Sequence, residues 1–293
     1  GTRVLNPDAS AAAEDRGQAL HDAFAEWVWA EPERAMRLHT TYNRMFNQLR
    51  LRDYSAEADA LTLPGLAATF TPRLHQRQAV ARILHQPTTG LFQAVGAGKT
   101  AVMAIAAMEL RRLGLATKPV IVVPNHMLRQ FTSEWLQLYP AARLLTASSD
   151  DLTPALRRRF VGRAAAGDWD GIITSHSGFQ RLPVTTDTEA DYRDRELSTL
   201  RQHLAVNQDN PQLRSTVKRI ERKLLAAEEK MKRLLATGAR DPGLTFEAVG
   251  IDYVFYDEAH AAKNLATASN IPGAAIDGSG RASDLAMKLD YLR

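Results

Sequence analysis

Six consecutive residues carry the sharpest chemistry in the chain: Val95-Gly96-Ala97-Gly98-Lys99-Thr100. Glycines let backbone N–H groups approach an anion closely, a lysine brings a full positive charge to phosphate oxygens, and a threonine hydroxyl is a hard-oxygen ligand for Mg²⁺. The set stands between a short apolar run, Leu91 to Val95, and an apolar helical stretch, Ala101 to Leu113. A helix that starts at such a loop adds the positive end of its dipole to the site. The order is that of a phosphate-binding loop, with Gly96, Ala97, Gly98, Lys99 and Thr100 as the nucleotide-binding residues and Lys99 reaching the β- and γ-phosphates. A glycine turn that only packs has no need of the Lys-Thr pair.

A second set lies far downstream, where Val254-Phe255-Tyr256 runs into Asp257-Glu258-Ala259-His260. The C-terminal ends of strands in a parallel sheet face the ligand crevice. There Asp257 can hold Mg²⁺, directly or through water, while Glu258 orients and activates an attacking water. A strand followed by an acidic helix cap would explain each carboxylate singly, but not their pairing with a phosphate loop.

The elements that must position these residues follow from apolar patterning. From Leu74 onward, short β-branched runs alternate with helical patterns, and Leu91 to Val95, Val120 to Val123, Gly171 to Thr174 and Tyr253 to Tyr256 are the strand candidates. That alternation predicts a parallel sheet with crossover helices. Near-continuous apolar strands such as Val120-Ile121-Val122-Val123 suit a sheet covered on both faces.

Residues 10 to 64 read as helices, with Leu20, Phe24, Trp27 and Val28 forming an apolar stripe and Glu31-Pro32 breaking the run. Tyr42 and Phe46 are expected to pack on one another on one helix face, with Asn43 and Asn47 at its edge. Between Asp187 and Gly243 the alternation stops. Leu213, Val217, Ile220, Leu224, Ala227, Met231 and Leu234 follow the seam of a coiled coil, an earlier helix carries Leu197, Leu200 and Leu204, and Asn207 to Pro211 is a strong turn. The expectation is an inserted antiparallel helical hairpin over residues 187–243, whose charged outer face is either solvated or a contact for a partner.

Gly-x-Gly-Lys-Thr followed by Asp257-Glu258-Ala259-His260 resembles the signature pair of superfamily 2 helicases and translocases, over roughly Phe70 to Arg293. The continuation to Lys263-Asn264 looks like the Swi/Snf branch, whose members track along duplex DNA. Ile121-Val122-Val123-Pro124 with Gln130-Phe131-x-x-Glu134-Trp135, and Ile172-Ile173-Thr174-Ser175, are similar to that branch's next two motifs. Arg73-Leu74-His75-Gln76 resembles its adenine-reading motif, in which the Gln76 amide would pair with the adenine edge. The Tyr-Asn-x-x-Phe-Asn lead-in and Lys263-Asn264-Leu265 look like the helicase segment of large phage- and plasmid-borne proteins that often join a helicase to a DNA methyltransferase. Gln93 stands where the general phosphate loop has glycine, a departure common in helicase-type loops, and Ala261-Ala262 occupy positions usually bulkier.

The resemblance implies a RecA-like α/β lobe over residues 70–293, with residues 1–69 as a helical appendage, residues 187–243 as the hairpin insertion and a second helicase lobe beyond this chain. It implies ATP and Mg²⁺ as cofactors, with Lys99, Asp257, Glu258 and His260 catalytic and Thr100 and Asp257 as the Mg²⁺ ligands. It further implies DNA, with duplex favoured, as partner, contacted through Asn125, His126, Thr174, Ser175 and His176. Because the family supplies its arginine finger from the second lobe, the chain by itself is expected to bind Mg-ATP and hydrolyse it poorly. The alternatives are a strand-separating or RNA helicase, a nucleotide-gated scaffold whose hairpin binds a protein, and a small-molecule kinase, which the Asp-Glu-Ala-His strand disfavours.

Composition sets the outer bounds. With 45% hydrophobic and 24% charged residues, the 293-residue chain can bury a full core. Its 37 Lys and Arg against 33 Asp and Glu give +4, compatible with a polyanionic partner without arguing for one. The absence of cysteine removes disulfides and thiolate metal sites and fits a cytoplasmic location. The eight histidines show no ligand-like spacing, so no structural metal is expected. The longest apolar run falls far short of the roughly 20 residues of a membrane span, and the residues Gly-Thr-Arg-Val-Leu-Asn-Pro at the start do not form the apolar stretch of a secretion signal.

Overall fold

The computed structural model of the chain describes residues 7–47, 52–207, 214–237, 244–267 and 278–293. It falls into two compact units that divide between Asp53 and Tyr54.

The first unit is helical. Helix α1 (Pro7–Trp29) is followed by α2 (Pro32–Tyr42), which begins at Pro32, where the missing N–H costs nothing, and runs into a π-helical turn, Asn43–Asn47. Tyr42 and Phe46 pack with ring centroids 4.9 Å apart, and Asn47 donates to the Asn43 side chain at 2.6 Å, as the sequence pattern expects. On α1, Leu20, Phe24 and Trp27 are exposed, and the Arg34 guanidinium lies 4.0 Å over the Trp27 ring.

The second unit is a parallel sheet with helices on both faces. Its strands are β1 (Pro119–Val123), β2 (Leu144–Ala147), β3 (Gly171–Ser175) and β4 (Tyr253–Tyr256), in the order β2-β3-β1-β4. Before the sheet come α3 (Ser55–Ala60), α4 (Leu74–His85) and α5 (Lys99–Arg112), and α6 (Leu128–Leu138) and α7 (Arg157–Ala166) cross over between strands. After β3 stand α8 (His176–Gln180), α9 (Thr186–Asn207), α10 (Arg214–Thr237) and α11 (Phe246–Val249), and α12 (Gly280–Tyr291) follows β4.

The pleat of β1 divides the core in two. Ile121 and Val123 pack on one face with Val102 and Ile105 of α5 and Phe131 and Trp135 of α6. Val120 and Val122 pack on the other with Phe160 and Val161 of α7, Phe179 and Phe246. Trp135 is wholly buried against the start of β3, where a Cβ on Gly171 would lie 2.3 Å from its ring, so no side chain fits there.

Four details differ from the sequence expectations. Leu91 to Val95 forms no strand: Phe92 and Val95 are 100% exposed, and the Gln93 and Ala94 carbonyls accept from the Lys99 side chain. β2 is a strand the patterning gave no sign of. Residues 54–69 belong with the sheet unit instead of with the N-terminal helices, because Tyr54 and Ala58 of the α3 region pack on Ala81 of α4. The hairpin starts at Thr186, and its seam buries Leu197, Leu200, Ile220 and Ala227 with Leu204, Leu224 and Met231 against them. α9 and α10 must run antiparallel, since the link between Asn207 and Arg214 can reach about 20 Å and α9 is about 33 Å long. The predicted turn from Gln208 to Pro211 and the seam residue Leu213 lie outside the described residues. Among the described residues no helix is long and apolar enough to cross a membrane.

Candidate nucleotide site

Parallel register brings the predicted site residues to one edge of the sheet. Val122 lies opposite both Thr174 and Tyr256, so Asn125, His176 and Asp257 all follow strand ends at that edge. The Asp257 N–H extends the ladder by donating to Val122 O at 2.9 Å.

The glycine loop enters α5 through two left-handed residues, Gly96 and Gly98, each with φ 81°. Gly98 is the N-cap of α5, Lys99 and Thr100 occupy its first turn, and both are half-buried. The Lys99 ammonium donates to Gln93 O at 3.0 Å and Ala94 O at 3.2 Å, folding back on its own loop.

The start of α4 is bolted to this loop. Gln76, only 6% exposed, accepts from the Arg73 N–H at 2.8 Å through Oε1 and donates to Ala97 O at 3.1 Å through Nε2. A Cβ on Gly98 would lie 2.2 Å from Gln76 Nε2, so glycine is required there for close approach as well as for its φ. The amide keeps one N–H and one lone pair uncommitted, the pair of functions an adenine edge can engage. His75, to which sequence reasoning gave no site role, places a ring nitrogen 3.1 Å from the same Ala97 carbonyl. Its only sequence signal is adjacency to Gln76.

Asp257 closes the other side. Burial raises its carboxyl above the ordinary range, and the nearby Lys99 charge opposes that rise. α5 packs against β1 through Val102 and Ile105 and leads into it through the short link after Arg112, so its first turn, with Lys99 and Thr100, stands at the same end of the sheet as Asp257. Glu258 adopts a left-handed conformation, φ 50° and ψ 51°, which costs a non-glycine residue roughly 1–2 kcal/mol. Its carboxylate meets His260 Nδ1 at 3.0 Å, with both side chains largely exposed. Strain at an acidic pair on a strand end is a pattern associated with function.

The five residues expected to touch nucleic acid separate into two groups. Asn125 and His126 are exposed at the rim, and Asn125 Oδ1 accepts from the Ser177 hydroxyl at 2.8 Å, linking the ends of β1 and β3. Thr174, Ser175 and His176 are buried, and their side chains are committed inside the protein. Thr174 donates to Ala147 O at 3.0 Å, and Ser175 caps α8 by accepting the Gly178 N–H at 3.1 Å. His176 stacks on Tyr256 at 4.7 Å and 9°, and its Nε2 lies 2.9 Å from Asp257 O. Burial lowers the His176 pKa, so the ring is neutral and donates its Nε2 hydrogen to that carbonyl. These three side chains hold the edge together and are not placed to grip a phosphate.

A family model described as a probable helicase domain matches residues 83–292, a span that takes in the glycine loop and Asp257 to His260 and leaves out Gln76. A second, described as a domain of unknown function, matches residues 1–48, most of the helical unit. No curated protein matches the chain.

Proposed function

The chain belongs to the probable helicase domain family, and we propose that it is the ATP-binding, ATP-hydrolysing lobe of a motor that moves along duplex DNA. The observation that supports this reading is that three separate segments share one end of the sheet: the Gly96–Thr100 loop at the start of α5, the Gln76 amide seated on Ala97, and Asp257 at the end of β4.

The residues present fit a Mg-nucleotide. Hard oxygen donors suit Mg²⁺, and the Thr100 hydroxyl and Asp257 carboxylate would hold the ion, whose charge would offset that of the phosphates. Lys99, whose present acceptors are two main-chain carbonyls, exchanges them for phosphate oxygens, a stronger charge-assisted contact. Gln76 offers its remaining donor and acceptor to adenine. Glu258 takes the proton from the attacking water, and His260 holds the Glu258 carboxylate in place.

In its finer form the reading places the chain in the Swi/Snf-like branch of superfamily 2, within a mobile-element or restriction and anti-restriction DNA-modification system. Its partners there are a second helicase lobe and a methyltransferase module in the same parent protein. The support for this is the Asp257 to Asn264 motif and the Tyr42 to Asn47 lead-in.

Steady-state ATP hydrolysis by the parent protein with duplex DNA, single-stranded DNA, RNA or no polymer tests the reading, with Lys99→Ala and Glu258→Gln in parallel. Stimulation by duplex that both substitutions abolish is expected. Turnover indifferent to every polymer would overturn it in favour of a nucleotide-gated scaffold acting through the α9–α10 hairpin.

A further inference from the structure

Burial of Thr174, Ser175 and His176 leaves the β2–β3 end of the rim without the phosphate contacts expected there, yet the same end is crowded with arginines. Arg157, Arg158 and Arg159 fill the first turn of α7, which contains no acidic residue. α7 starts after the C-terminal end of β2, and α8 starts directly at the end of β3, so both stand at the edge that carries Asp257. Arg181, exposed at the end of α8, donates to the Ser149 carbonyl between β2 and α7. At the end of α8, Arg281 of α12 donates to the Gln180 side chain at 3.3 Å.

These cations are set against each other more than against acids. Arg157 is half-buried and faces Arg181, and burial together with that like charge lowers its pKa. Its Nε is buried without a hydrogen-bond partner. Lys288, wholly buried, also feels the Arg157 charge. Of the nearby carboxylates, Asp284 holds Lys288 at 2.7 Å, Glu247 also acts on Lys288 while its Oε1 accepts from Thr185 N and Thr188 Oγ1, and Asp151 accepts from Ser148 N and Oγ and faces Arg159 and Arg163, with Asp150 beside it. Like charges held together destabilise the folded chain until an anion joins them.

We propose that Arg157 and Arg181, with Arg281 flanking α8, form a seat for the phosphodiester backbone of duplex DNA at the β2–β3 end of the rim. Guanidinium forks match phosphate oxygens bidentately, and such contacts position a duplex without reading its sequence. The inference deepens the proposed function and rests on it for the identity of the polymer. It moves the contact from the buried hydroxyls at the end of β3 to guanidinium groups on α7, α12 and the end of α8.

The test is equilibrium binding of a short labelled duplex across a salt series, comparing wild type with Arg157→Gln/Arg181→Gln, with the charge-keeping Arg157→Lys/Arg181→Lys, and with Arg222→Gln/Arg233→Gln on the hairpin. Each phosphate contact contributes roughly 0.9 to the slope of log K against log salt. The glutamine pair is therefore expected to lower the slope by about 2, while the lysine pair and the hairpin pair keep it and binding of a fluorescent ATP analogue is unchanged. Should the glutamine pair fail to fold, the exposed Arg181→Gln alone carries the test, with a slope change of about 1. An unchanged slope, or an equal loss in the hairpin pair, would overturn the seat. A wild type that binds ATP but no nucleic acid would overturn the DNA reading itself, whereas duplex binding untouched by the arginine substitutions would remove the seat alone.

Discussion

A methyl group on Gly98 sets the geometry of the glycine loop against the seat of Gln76. Alanine at φ 81° is in the left-handed region, at a cost of roughly 1–2 kcal/mol. The new carbon would also lie 2.2 Å from Gln76 Nε2 and 3.5 Å from its Cδ. That amide cannot yield cheaply, because it is buried and holds both the Arg73 N–H and the Ala97 carbonyl. Swinging it out breaks two hydrogen bonds worth about 1 kcal/mol each, so Gly98→Ala should cost about 3–4 kcal/mol and Gln76→Ala about 2 kcal/mol. In the double variant the two hydrogen bonds are lost only once. It should then be about 2 kcal/mol more stable than the sum of the single changes implies. Urea unfolding of the four proteins by circular dichroism measures this directly. Strict additivity, within about 0.5 kcal/mol, would refute the claim that the Gln76 amide is what occupies the space above Gly98.

Gly171→Ala should destabilise the sheet unit by about 1–3 kcal/mol through overpacking against the buried Trp135, read as a drop in Tm. Lys288→Met should cost about 3–5 kcal/mol, because it strands the Asp284 carboxylate and the Phe179 carbonyl that the ammonium holds. Adding Asp284→Leu should recover much of that loss in urea unfolding. His176 has a folded pKa below its ordinary 6.5, so as pH falls below about 6.5 the unfolded chain takes up a proton that the folded chain refuses. Stability should therefore fall there, and the difference between wild type and His176→Gln should shrink as the pH is lowered. A gap that stays constant or widens would mean that the ring is not held neutral by its burial.

Sequence patterning was most legible where one physical demand acted alone. β1, β3 and β4 read correctly because strands covered on both faces need continuous apolar runs, and the hairpin seam because two helices bury one stripe each. Leu91 to Val95 misled because its apolar content suggests burial while its carbonyls serve Lys99 and two of its side chains face water. β2 offered only Leu144 to Ala147, with Thr146 exposed, too short to show a period. In the candidate site, the glycine loop at the start of α5 and the acidic pair at the end of β4 stand where the patterning put them, because paired left-handed glycines before a helix and an apolar strand before two carboxylates are local signals. The burial of Thr174, Ser175 and His176 was not legible, because a polar residue at a strand end can turn inward or outward. That choice is decided by neighbours distant in sequence, here Ala147 and Asp257. The arginines around α8 escaped notice for the same reason, since only the folded chain brings Arg181 to the Ser149 carbonyl before α7 and Arg281 to the Gln180 side chain.

Equilibrium binding of ATP to the chain in the presence of Mg²⁺, wild type against Lys99→Ala, tests the central claim most directly. An ammonium-to-phosphate contact is worth about 1.5–3 kcal/mol, so the account predicts saturable binding weakened about 10- to 150-fold by the substitution, with the fold intact by circular dichroism. Equal affinity in the two proteins, or no binding by wild type, would contradict it.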